Sequence, residues 1–284
     1  MKDKIVLITG ATSGIGKATA FSLAQLGASL ILLGRNEKKG EKVGHWIKKK
    51  TDNNQVKFYK ADFFLMREVK AAAEKIHNDY KRIDVLINNA GGRFLDHNVS
   101  VEGIEQTLAV NHLSHFLLTD ILLDHVKRSP SARIINVSSN THRKGKGIIK
   151  NVISPSEFNG TQQYSDSKLA NVLFTYKLAG LFERTDVTVN AMDPGGVATN
   201  FARNSGLANW MKHRIYYLKK KELLTPEQGA ETIIYLATSM DVEGVTSKYF
   251  YKKKEKLSSE ISYNMEAQKQ LWDLSRELIT NAGA

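Results

Sequence analysis

Short apolar runs recur along the chain, and helix-length stretches separate them. The runs are "KIVLITG", "ASLILLGR", "VKFYKAD", "DVLINNAG", "ARIINVSS", "VTVNAMDPG" and "SKYFYKK". Most of the central ones lack the polar alternation of a half-buried strand, as expected of strands covered on both faces. Between them lie segments such as "GIGKATAFSLAQLG" (14–27) and "LMREVKAAAEKIHNDY" (65–80). In the second, Leu65, Val69, Ala72, Ala73 and Ile76 fall at helical spacing and form one apolar stripe. Strand alternating with helix implies right-handed crossovers and a parallel sheet covered on both sides. The expectation is a single α/β domain over residues 1–284, with a doubly wound parallel sheet. No internal repeat, low-complexity tract or linker divides it.

Two stretches break the alternation. Residues 140–163, "NTHRKGKGIIKNVISPSEFNGTQQ", read as a polar loop between a strand and a helix. Residues 197–224 interleave Trp210, Met211, Ile215, Tyr216, Tyr217 and Leu218 with Lys212, His213, Arg214 and Lys219 to Lys221. Long insertions of this kind in a compact domain serve as substrate loops or lids. This one is expected to close over an apolar substrate, with Trp210 or Tyr217 at the mouth. Its basic side could rest weakly on anionic lipid. Thr225-Pro226 marks the next helix start, and "SYNMEAQKQLWDLSRELI" a helical extension over about 258–281.

Composition narrows the partners. The formal charge is +12 and the pI near 9.6, which suits nucleic acid, an anionic surface or a phosphate-rich cofactor. No nucleic-acid-binding signature accompanies the lysine runs, so they read as solvated faces. There is no cysteine, which removes disulfides and thiolate metal sites. No signal peptide and no uncharged run of membrane-spanning length is seen, so a cytoplasmic protein is expected.

The candidate chemistry begins at "TGATSGIG", with glycines at 10, 14 and 16 between a strand and a helix. Such a turn lets backbone N–H groups approach a pyrophosphate at a helix N-terminus. The next strand ends "LILLGRNEKK". Gly34 stands where an acid would bind a ribose 2′-hydroxyl, and Arg35 follows, which predicts NADP(H). In "YSDSK", Tyr164 and Lys168 sit four apart on one helix face, where an ammonium would favour the phenolate. Alone, that pair reads as a chance surface pair. His112 and His115 have a spacing compatible with a metal, but no third ligand is evident and none is expected.

"TGATSGIG", "NNAG" (88–91), Asn111 in "AVNHLSHFLLT", Ser139 in "NVSS", "YSDSK" and "DPGG" (193–196) occur in this order on the expected elements. Together they resemble the short-chain dehydrogenase/reductases over residues 4 to about 250, which implies a Rossmann-type sheet. "NHLSHFLLT", "SKLANVLFTYKLA" and "VTVNAMDPGGVATN" are similar to the retinol dehydrogenase-like branch. The resemblance implies a Ser139, Tyr164 and Lys168 site, with Asn111 positioning a water that relays protons to Lys168. It implies cofactor contacts from Gly10, Ser13, Gly14, Ile15, Gly16, Arg35, Asn36, Asp62, Asn89, Ala90, Gly91, Tyr164, Lys168, Val197 and Thr199. The substrate implied is a small lipophilic carbonyl or alcohol. Homodimers through paired helices are common in the family, and the C-terminal helix could instead cover that face. Three departures bear on substrate more than chemistry: no N-terminal membrane anchor, Ser114 between the histidines, and "DPGG" where His-Pro-Gly is common. The competing reading is a cofactor-sensing or scaffold protein that kept the fold and lost turnover.

Overall fold

All seven apolar runs contain strands of one sheet. They are β1 (Ile5–Thr9), β2 (Ser29–Gly34), β3 (Val56–Lys60), β4 (Val85–Asn88), β5 (Arg133–Val137), β6 (Thr188–Asp193) and β7 (Lys248–Tyr251). The computed structural model describes residues 1–147, 158–197, 211 and 223–284. Strand order is β3-β2-β1-β4-β5-β6-β7-β8, parallel throughout except for the antiparallel edge strand β8 (Lys254–Lys256). That strand adds an antiparallel edge to the parallel sheet. It returns from β7 through Lys252 and Lys253, both in the left-handed region at φ 50° and 61°.

Helices cover both faces. On one side lie α1 (Gly14–Gln25), α2 (Glu37–Thr51) and α8 (Pro226–Thr238); Leu23, Val43, Ile47, Ile233 and Leu236 meet Val6, Ile8, Leu30, Leu32 and Ile87. On the other lie α3 (Met66–Asp79), α5 (Ser114–Ile121) and α7 (Gly160–Leu181), which pack on Leu7, Ile31, Leu33 and Leu86. Successive residues of β1 and β2 therefore enter opposite cores, which is why these strands are apolar without alternation. Short helices α4 (Gln106–Leu108) and α6 (Leu123–Lys127) flank α5, and a π-helical turn, Ala109–Leu113, joins α4 to it. Thr225 starts α8 with a capping box and Pro226 in its first turn.

The C-terminal extension is α9 (Met265–Asn281), preceded by a 3-10 turn at Glu260–Tyr263. Trp272 packs edge-on against Phe116 of α5 and stacks on Phe174 of α7. Leu271 and Ile279 join the same core, so α9 covers the outer faces of α5 and α7. No helix among the described residues is long and apolar enough to cross a membrane. The lid expected over 197–224 lies largely outside the described residues, Thr199, Trp210 and Tyr217 included. Its two ends meet: Val197 bridges Leu224, whose N–H donates to the Gly196 carbonyl at 2.8 Å.

Candidate active site

The strand order reverses between β1 and β4, and there, beyond the C-terminal strand ends, a cleft of about 410 Å³ opens. The loop from β1 to α1 forms one wall, with Gly10, Ser13, Gly14, Ile15 and Gly16. Gly10 has φ +67°, and a Cβ there would stand 2.9 Å from Ala90 Cα. At Gly16 a Cβ would overlap the Gly10 carbonyl and the Asn89 side chain. Only glycine admits this close approach of main chain. Ser13 makes no side-chain cap, and the first turn of α1 carries no acid. Its positive end therefore meets the cleft unopposed, an arrangement that fits a pyrophosphate.

Asn89, Ala90 and Gly91 after β4 form the facing wall. Thr9 cross-links the two: its hydroxyl oxygen accepts from Asn89 N and Ala90 N, each at 2.9 Å, and Asn89 Nδ2 donates to the Thr9 carbonyl at 2.8 Å. In the sequence Thr9 is only the first residue of "TGATSGIG", with no role of its own. At the far end lie Gly34, Arg35 and Asn36, joined by Lys39, which the sequence reading also missed. Asn36 caps α2, accepting from Lys39 N at 2.9 Å. Asp62, which accepts from Phe64 N at 3.1 Å, is the only acid among the described lining residues.

The catalytic candidates come from β5 and α7. Asn159 starts α7 by accepting from Thr161 and Gln162 N–H groups, each at 3.1 Å. Tyr164 and Lys168 follow on one face, both buried. Lys168 Nζ lies 5.8 Å from the Tyr164 ring centre and donates to the Val137 carbonyl at 3.1 Å. A Cβ at Gly91 would stand 3.4 Å from that Nζ, so the cleft and the lysine meet at this glycine. Burial pushes the Lys168 ammonium down to about 8, opposed by the charge of Asp193. Asp193, at the end of β6, is itself raised above the usual carboxylate range by burial, while its bond from Gly195 N at 2.9 Å pulls the other way. In the sequence it is only the first residue of "DPGG", with no role of its own.

The paired serines after β5 differ. Ser138 is buried and donates to the Lys168 carbonyl at 2.7 Å. Ser139 is half-buried and heads a 3-10 turn, accepting from Thr141 N at 3.3 Å. Asn111 lies fully buried within the π-helical turn, a backbone irregularity frequent at functional sites. Its amide bonds Gly92 on both sides, accepting at 2.8 Å and donating at 3.0 Å, and donates to Ser167 Oγ at 3.0 Å. His112 and His115 are buried; His115 Nε2 lies 3.2 Å from Thr9 Oγ1, and His112 bonds Asn171 and Ser275. Val197 is buried beside Gly229 and Ile15.

Residues 4–210 match the family model for short chain dehydrogenases. The chain is 36% identical over 289 residues to retinol dehydrogenase 14 of Mus musculus, covering 98% of this chain and 86% of the relative. To polyprenol dehydrogenase of Homo sapiens it is 37% identical over 283 residues, covering 97% and 85%. A Mycobacterium paratuberculosis structure superposes with TM-score 0.77 at 27% identity, covering 98% of this chain and 94% of that one. An Escherichia coli CFT073 protein, described as a short chain dehydrogenase and solved with NADPH, gives TM-score 0.69 at 25% identity, covering 89% and 98%.

Proposed function

The chain belongs to the short-chain dehydrogenase family, in its retinol dehydrogenase-like part, and from that premise we propose that it interconverts a lipophilic aldehyde or ketone and its alcohol with NADP(H). Oxidoreductase chemistry on alcohol and carbonyl groups follows from the family. The observation that carries the finer reading is the meeting of Lys168, Tyr164 and Gly91 at the inner end of the glycine-walled cleft.

The dinucleotide supplies the hydride when bound. Gly10, Gly14 and Gly16 receive its pyrophosphate, and Asn89 to Gly91 its adenosine ribose. Arg35 and Lys39 favour a 2′-phosphate, since β2 ends in Gly34 rather than a carboxylate, and Asp62, the one acid among the described lining residues, follows β3. Tyr164 gives its proton to the carbonyl oxygen in reduction and takes it back in oxidation. The Lys168 ammonium stabilises the resulting phenolate. Ser139 donates to the substrate oxygen and holds it beside the tyrosine. Support for a lipophilic substrate comes from the relatives named for retinol and polyprenol.

The test is NADPH oxidation over a panel of aliphatic aldehydes, retinal, ketosteroids and quinones, with cofactor binding measured in parallel. Turnover with the apolar members is expected. Tight NADPH binding without turnover on any member would favour the cofactor-sensing reading.

A further inference from the structure

Beside the pair that faces the cleft, α7 carries a second chain of polar groups. Asn171 Nδ2 donates to the Val137 carbonyl at 3.2 Å, the same oxygen that receives Lys168 Nζ at 3.1 Å. Asn171 Oδ1 stands 3.3 Å from His112 Nδ1, and His112 Nε2 stands 2.9 Å from Ser275 Oγ on α9. All four side chains are buried.

A carbonyl can only accept, so Asn171 presents nitrogen to Val137 and oxygen to His112. That oxygen also only accepts, and it stands 3.3 Å from His112 Nδ1. On the other side of the ring, Ser275 Oγ lies 2.9 Å from Nε2, and its hydroxyl donates to the Leu271 carbonyl at 2.7 Å. Burial keeps the imidazole neutral, pushed down to about 4. The chain of contacts thus runs from α9 to the oxygen on which the lysine rests.

We propose that His112 and Asn171 are positioning residues for Lys168, holding the Val137 carbonyl in place, and that Ser275 on α9 anchors the imidazole. The inference rests on the proposed reading of Lys168 as the partner of Tyr164. The charged and titratable groups facing Lys168 are Tyr164 on α7, Asp193 at the end of β6 and His115 on α5. The test leaves all three in place.

Asparagine at 112 puts an amide nitrogen near the position of Nδ1, and glutamine puts one near that of Nε2. His112→Asn therefore keeps a donor for Asn171, whereas His112→Gln keeps only the link to Ser275. Three quantities are measured: kcat for NADPH-dependent carbonyl reduction, the NADPH dissociation constant, and the Lys168 titration midpoint by 15N-lysine NMR. His112→Gln is expected to lower kcat about tenfold, as a small misplacement of a reacting group does. It should also move the midpoint with cofactor affinity unchanged, while His112→Asn stays near wild type. Equal kcat and equal midpoints in the two variants would overturn the proposal. The NMR midpoint needs no turnover, so a wild type that reduces no carbonyl removes the catalytic reading and still leaves the positioning one decidable. Ser275→Ala reads the far end of the network, with fold integrity little at risk. A midpoint displaced in the same direction as in His112→Gln supports the link to α9, and an unmoved one overturns it.

Discussion

The cofactor cleft and the catalytic pocket meet at Gly91, yet they are made in different ways. The cleft is main chain: Gly10, Gly16 and the Asn89 turn lie so close that a single added carbon collides. The pocket is side chain: Asn111, Lys168 and Asn171 are buried, each held by named hydrogen bonds. A wall of backbone fails when something is added. A nest of buried polar groups fails when something is removed, because the partner left behind is desolvated and unpaired. The two halves should therefore respond oppositely to mutation, one in binding and the other in rate.

The strongest test is on the pocket side. Tyr164→Phe keeps the ring and deletes the proton, so turnover should fall by about a thousandfold or more. NADPH affinity, read by fluorescence titration, should stay near wild type; wild-type turnover would end the proposed chemistry. On the cleft side, Gly16→Ala drives a methyl into the Gly10 carbonyl and Asn89. NADPH binding should weaken roughly ten- to hundredfold, the overpacking cost expressed as affinity, with kcat recovered at saturating cofactor. A lowered kcat with unchanged affinity would erase the contrast between the two halves.

Arg35→Ala combined with Lys39→Ala sharpens the comparison within the cleft. NADPH should lose about tenfold or more in affinity while NADH is unaffected, since only the former carries the 2′-phosphate. Parallel loss of both would assign these cations a structural role. The reciprocal change, Gly34→Asp, also displaces Thr12, whose Cγ2 lies 2.9 Å from where the new Cβ would stand. The smallest effect concerns pH. Burial holds His112 at about 4 and His115 at about 3. In the unfolded chain both titrate near 6.5, so their stabilising contribution is complete above that value and lost as pH falls toward 4. Melting temperature should decline over that window, and less steeply in His112→Asn; identical slopes would exclude His112 as a source.

How much of this was readable beforehand follows the same division. The sheet was legible because two-sided burial writes continuous apolar runs into β1, β2 and β4. Strand β8 was not, because "KEK" is exposed and polar and its turn uses Lys252 and Lys253 at positive φ, where no glycine or asparagine announces it. The glycine loop and the tyrosine–lysine pair were legible as local spacings. Asp193 was quoted only as the first letter of a turn, since nothing local tells that its carboxyl is buried near Lys168. The Asn171, His112 and Ser275 network was hidden for a related reason. Its members lie 59 and 163 residues apart, and each alone is an ordinary polar residue on a helix.

The placement of α9 also bears on how the chain matures. Phe116 and Phe174 are covered by Trp272, which is synthesised after every described strand of the sheet. During translation the sheet and α7 can assemble before that cover exists, leaving an aromatic surface open to other nascent chains. Chaperone dependence should therefore rise sharply in chains released before residue 265, even though every strand of the sheet is already present in them.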